Sequence, residues 1–204
     1  MLVVISNPTA IANEASIINA LFDEGLQILH LRKPGIAADE MSALIEQIKQ
    51  SYRHQIALHQ HHELADDFGI HRLHFTEVRR KEMREEKLIQ LKESKHILST
   101  SIHQTEEYQN LSPCFDYTFF GPVFNSISKQ GYTSETTDDF IFPVLFSHPK
   151  VIAIGGIDAT NIQKALDMQF CGVAVLGTIW QEPGESIQQF KALKKAWKQT
   201  GRSQ

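Results

Sequence analysis

Two cysteines in 204 residues are too few for a disulfide framework, and Cys114 and Cys171 stand too far apart for the spacing of a zinc site. Both are expected to be inert core residues. Long hydrophobic runs are also missing: nothing approaches the roughly 20 apolar residues of a membrane span. The opening Met1-Leu2-Val3-Val4-Ile5 lacks the basic flank and the length of a signal peptide, so it reads as a first strand and a cytoplasmic setting is expected. There is no basic run, and the formal net charge is -4, which argues against nonspecific nucleic-acid binding. No linker or low-complexity stretch divides the chain, so residues 1–204 are expected to form one domain. What is left is an ordinary globular mixture, 42% hydrophobic and 22% charged, long enough to bury a full core.

Within that mixture, short apolar runs alternate with helical spacing from end to end. Strands are expected at 2–5, 27–31, 55–58, 72–75, 96–99, 117–120, 151–154 and 173–176. The runs around 151–154 and 173–176 do not alternate in polarity, as befits parallel strands covered on both faces. Helical spacing recurs between them, in Met41, Leu44, Ile45 and Ile48, and again in Ile162, Ala165 and Leu166, where Asp158 or Thr160 is placed to cap. A single charged helix with a solvated outer face is expected over 77–92. Eight βα repeats in about 200 residues predict an α/β fold, a single (β/α)8 TIM barrel with short loops. A five-stranded flavodoxin-like sheet is the alternative.

Function in a barrel sits at the C-terminal ends of the strands. Here those ends are chemically rich. Gly155, Gly156 and Gly177 follow the last two strands, where backbone N–H groups can approach an anion without side-chain obstruction. Arg32 follows strand two and offers a rigid five-donor fork to phosphate or carboxylate. Lys129, in a serine-rich loop after strand six, suits a second anionic group. His30, His59, His74 and His103 follow four different strands, and neutral histidine can serve as acid or base. A histidine metal site is the competing use, but one histidine per strand gives no ligand pair on a single face, so no metal site is expected. At least two of the four are expected to be ordinary hydrogen-bonded barrel residues.

In order, HLRK after strand two, STSIH, FFGPVFNSISK, and VIAIGGI with GVAVLGTI resemble the thiamine phosphate synthase and TenI family over essentially the whole chain. The resemblance implies a (β/α)8 barrel, usually a homodimer, acting on the phosphorylated thiazole half of thiamine. It places Gly155, Gly156, Gly177 and Thr178 around the thiazole phosphate. It places Arg32, Ser126, Ser128 and Lys129 where the synthase holds pyrimidine pyrophosphate.

Departures from the family pattern bear on the activity. Synthases carry two aspartates that hold magnesium, and here those motifs read His59-Gln60-His61 and His74-Phe75-Thr76-Glu77. Glu63 or Glu77 is the nearest carboxylate to substitute, with Arg79 as a source of positive charge. The lysine of the family's RxK falls on Pro34, with Lys33 one position earlier. His30 and GIHRLHF lean toward TenI-like proteins, which isomerise the thiazole carboxylate phosphate without metal. The histidine of their FGHVF motif, however, is Pro122 here. Acid/base chemistry then falls to His30, His59 or His103. The expected function is TenI-like and needs no cofactor. One alternative is a magnesium-dependent synthase that joins pyrimidine pyrophosphate to thiazole phosphate; another is a non-catalytic thiazole-phosphate-binding protein.

Overall fold

Short runs of Val, Ile and Leu, buried on both faces, close into a barrel because each strand can hydrogen-bond a parallel neighbour on either side. The structure is a computed structural model and describes residues 1–124, 139–146 and 148–201. The strands are β1 (Leu2–Ile5), β2 (Ile28–Leu31), β3 (Ile56–Leu58), β4 (Arg72–Phe75), β5 (Ile97–Ile102), β6 (Tyr117–Phe120), β7 (Lys150–Ile154) and β8 (Gly172–Val175). All pair in parallel in sequence order, and β8 returns to β1 with Val3 opposite Ala174. The flavodoxin-like alternative is thereby excluded.

Period-2 alternation sorts the side chains into two cores. Val3, Ile5, Ile28, Tyr117, Phe119, Ile152 and Ala174 fill the barrel. Leu2, Val4, Leu29, Leu31, Ile56, Leu58 and Leu73 face outward, under the helices. The helices are α1 (Glu14–Asp23), α2 (Ala38–Glu46), α3 (Glu77–Glu82), α4 (Glu85–Glu93), α5 (Thr105–Gln109), α6 (Ile162–Asp167), α7 (Gly177–Trp180) and α8 (Ser186–Gln199). At the closing seam, α8 buries Phe190, Leu193 and Trp197 and packs against α1, which buries Ile18, Leu21 and Phe22. No helix among the described residues is long and apolar enough to cross a membrane.

Several local expectations are corrected. The charged segment 77–92 is two helices, because Met83 and Arg84 take extended backbone angles and Met83 turns into the outer core. After β3 the chain makes only a 3₁₀ turn, His62–Leu64, entered through His61 in the left-handed region. Neither Asp158 nor Thr160 caps α6. Asp158 instead accepts from Thr160 N at 2.8 Å and closes the turn before Asn161, the residue preceding the helix. The β6–β7 connection, 121–149, is long, and its described parts form neither helix nor strand. Cys114 and Cys171 are half-buried free thiols and not core residues.

The segment after β6 rests directly on the end of β7. Val123 N donates to Ile154 O at 2.9 Å and Phe124 N to Gly155 O at 3.1 Å. This approach fixes two glycines. A Cβ on Gly121 would lie 2.0 Å from Ile154 O, and one on Gly155, where φ is +97°, would lie 2.7 Å from Pro122 Cα. Backbone cannot yield as a side-chain tip would, so Gly121→Ala is expected to destabilise the protein by about 1–3 kcal/mol. Urea denaturation measures it, and an unchanged midpoint would show that the segment does not press on β7 as described.

Candidate active site

Parity along the strands aims β2, β3, β4 and β5 residues into one place. His30 pairs with Ala57 in the β2–β3 register and His74 with Ser99 in the β4–β5 register, while His59 follows β3. His30 Nδ1 and His59 Nε2 share a hydrogen bond of 2.9 Å, and His30 Nε2 meets the Tyr117 hydroxyl at 2.7 Å. His74 Nδ1 meets Ser99 Oγ at 3.0 Å and its Nε2 meets Ser101 Oγ at 3.1 Å. The His59 and His74 rings stack with centroids 3.9 Å apart. Of these six ring nitrogens only His59 Nδ1 is buried without a partner.

Burial keeps this cluster neutral. Desolvation first, then repulsion from His74 and Arg72, holds His30 well below the usual imidazole range. The same causes act on His59, with His74, His30 and Arg32 as the leading neighbours. Burial first, then the neighbouring His62 and Arg32, pushes His74 down to about 3. Tyr117 is raised to about 12, mainly by burial. The barrel interior is therefore a network of neutral donors and acceptors between two arginines.

Above it lies a cavity of about 750 Å³ at the C-terminal mouth, whose wall includes Asn7, Arg32, His59, His74, Glu77, Ser101, His103, Phe119, Gly177 and Trp180. Of the four expected catalytic residues, His59 and His103 reach this wall. His30 is fully buried below it, and Lys129 lies outside the described residues, as do Ser126 and Ser128. Arg32 reaches the wall, and its guanidinium has no ion-pair partner among the described residues. Gly177 also contributes. Gly155, Gly156 and Thr178 do not line the wall: Asn161 Nδ2 donates to Gly156 O at 2.7 Å, and Thr178 Oγ1 donates to Ile157 O at 2.5 Å. Trp180 Nε1 donates to Ile5 O at 2.6 Å and ties α7 to β1 across the cavity edge.

His103 sits differently from the other three histidines. Its Nδ1 lies 2.8 Å from Gly121 O. A carbonyl oxygen only accepts, so Nδ1 carries the proton and Nε2 of the neutral ring is a bare acceptor. That nitrogen is 3.8 Å from Glu77 Oε2, and the His103 side chain is 61% exposed. Glu77 is itself paired with Lys81. Of the other carboxylates near the mouth, Glu63 pairs with His61, and Glu14 forms a buried ion pair with Lys33 at 2.6 Å. Burial pushes Glu14 up against the opposing pull of Lys33.

Sequence reasoning missed Tyr117, Ser99, Ser101 and the Glu14–Lys33 pair. Counting back by twos from Phe119 and from His103 would have found the first three. Nothing local links Glu14 to Lys33, which meet only once α1 folds back over the end of β2.

Together, the closed parallel barrel and the cavity at its C-terminal mouth define a TIM-barrel protein whose candidate site lies at the usual face. More narrowly, the chain matches the profile of the thiamine monophosphate synthase family over residues 2–179 and belongs to that family. The crystal structure of thiamine phosphate pyrophosphorylase from Bacteroides thetaiotaomicron is 30% identical, with a TM-score of 0.73, covering 97% of both chains. A thiamine phosphate pyrophosphorylase from Pyrococcus furiosus shares the fold at 18% identity and a TM-score of 0.74, over 97% of this chain and 95% of that one. The thiamine-phosphate synthase of Prochlorococcus marinus is 37% identical over 84 residues, 41% of this chain and 24% of that protein's length.

Proposed function

We propose that this protein is a TenI-like enzyme that holds a phosphorylated thiazole in the cavity and isomerises it by moving a proton with His103, without magnesium. His103 carries the reading. Its Gly121 bond sets the tautomer, and its bare Nε2 stands at the cavity wall where a substrate C–H or N–H can reach it. The base takes the proton from one position and returns it at another, so the ring is regenerated and no co-reactant is consumed. Glu77, 3.8 Å away, offsets the positive charge on the protonated ring.

The magnesium-binding motifs support the same reading. Gln60 replaces an acidic group and donates its amide to Lys33 O, and Glu77 is engaged by Lys81. Phosphate is assigned to Arg32 and the Gly177 backbone, which share the cavity wall. Arg32→Ala is expected to weaken binding of the phosphorylated thiazole by roughly ten- to hundredfold, the worth of a charge-assisted hydrogen bond. Arg32→Lys restores charge but not the fork and should fall between. Calorimetric titration measures both, and unchanged affinity would remove Arg32 from the site. Homodimeric assembly and a cytoplasmic setting belong to this proposal through family membership.

A second reading, the synthase, is favoured by the names of the relatives. The deciding experiment incubates the protein with thiazole carboxylate phosphate alone, and separately with thiazole phosphate plus pyrimidine pyrophosphate, each with and without magnesium. Metal-free isomerisation is the expected result. Magnesium-dependent thiamine phosphate would establish the synthase instead, and tight binding without turnover would make the protein a non-catalytic binder.

A further inference from the structure

We propose that His30, His59 and His74 form a binding site for a transition-metal ion of the zinc class, open to the cavity through His59 and His74. The three side chains come from or follow consecutive strands, and one nitrogen from each lies within 4.8 Å of the other two. Imidazole suits zinc and its neighbours in the first transition row, whereas magnesium requires oxygen ligands. The site is thus distinct in chemistry and place from a carboxylate-held magnesium, and proton transfer by His103 does not use it.

Three features of the cluster fit the ion. The three rings are buried together beneath the cavity, His30 wholly and His59 and His74 almost wholly. Tyr117 already holds the outer nitrogen of His30, and Ser99 can keep His74 Nδ1 while Nε2 turns to the ion, as metal-bound histidines require on their far side. His30 Nδ1 and His59 Nε2, 2.9 Å apart across a shared proton, are near the ~3.3 Å separation set by zinc–nitrogen bonds of ~2.0–2.1 Å. On loading, the ion takes the place of that proton, which passes to the outer nitrogen of its own ring. The stacked His59 and His74 rings turn apart so that both planes reach the ion.

The charges around the cluster determine the fourth ligand. Arg32 faces His59 and His74, Arg72 faces His30, and no carboxylate belongs to the histidine group among the described residues. A dication bound by three neutral rings therefore needs an anion in its open position, and the cavity side is where hydroxide or an anionic ligand enters.

Zinc binding to the chelator-treated full-length protein tests this, by equilibrium dialysis with elemental analysis and, in parallel, by cobalt(II) absorption. One zinc per chain is expected, with the intense visible bands of four-coordinate cobalt. His59→Gln and His74→Gln should each weaken binding by roughly tenfold or more. His61→Ala, which removes the surface His61–Glu63 pair, should leave it unchanged, and circular dichroism confirms that each variant is folded. No stoichiometric zinc, six-coordinate cobalt, or loss of binding only in His61→Ala would each overturn the proposal. His103→Ala should retain zinc while losing isomerisation, so failure of the metal site and failure of the proposed reaction are read separately.

Discussion

His103→Ala is expected to lower the rate of isomerisation by about 10²–10⁴-fold, the usual contribution of a positioned acid/base group, with little change in affinity for the phosphorylated thiazole. The split follows from the geometry. His103 contributes a proton acceptor to the cavity but neither the guanidinium of Arg32 nor the backbone of Gly177, to which the phosphate is assigned. Its one tight contact is with Gly121 O, and its side chain is 61% exposed, so its loss removes little packing. Steady-state kinetics with a thermal melt checks both halves. His103→Gln can still donate an amide N–H to Gly121 O but has no titratable nitrogen, so it should be as inactive as alanine. Added imidazole should restore part of the turnover in His103→Ala, which a purely structural histidine would not show. A loss below about tenfold would shift the acid/base role to His59, the other of the expected catalytic histidines that reaches the wall.

Much of this site was legible because a barrel maps sequence onto space simply. Eight apolar runs in order become eight neighbouring strands, and residues at their C-terminal ends become neighbours at one mouth. His59, His103 and Arg32 reach the cavity for that reason. Which histidine faces the cavity and which lies beneath it was not legible, because depth depends on the stagger between strands. His30 sits opposite Ala57, two residues short of His59, and that offset leaves it covered. The glycine turn shows a different limit. Glycine after a strand is compatible with an approaching anion or with an approaching chain, and at Gly155 the group in contact is Pro122.

Helix boundaries failed where local pattern and packing compete. Over 77–92 the charge distribution suits one continuous helix, yet Met83 packs partly buried against the outer core, and extended backbone at residues 83 and 84 separates α3 from α4. The ion pair of Glu14 and Lys33 joins residues 19 positions apart through tertiary folding alone, and no periodicity announces it.

Stability is expected to fall steeply as pH drops below 6.5, well before carboxylates titrate, because the unfolded chain takes up protons that the folded cluster refuses. Each histidine lowered from 6.5 binds fewer protons in the native state, so unfolding takes up protons and stability rises with pH. The stabilising difference is complete above 6.5 and is lost progressively down to the folded value, about 3 for His74. Each group shifts the folding equilibrium by about tenfold per pH unit, so three acting together approach a thousandfold. His62, also lowered by burial, adds to the trend. His61, raised by the Ile36 carbonyl and Glu63, opposes it, as does Glu14, raised by burial. Both are single groups against four. Urea titrations of the chelator-treated protein at intervals between pH 7.5 and 5 measure the slope, and His74→Gln should flatten it by about one proton's worth while the variant stays folded at neutral pH. A stability that is level across that range would mean the cluster accepts protons in place, and the buried neutral network at the barrel floor would have to be abandoned.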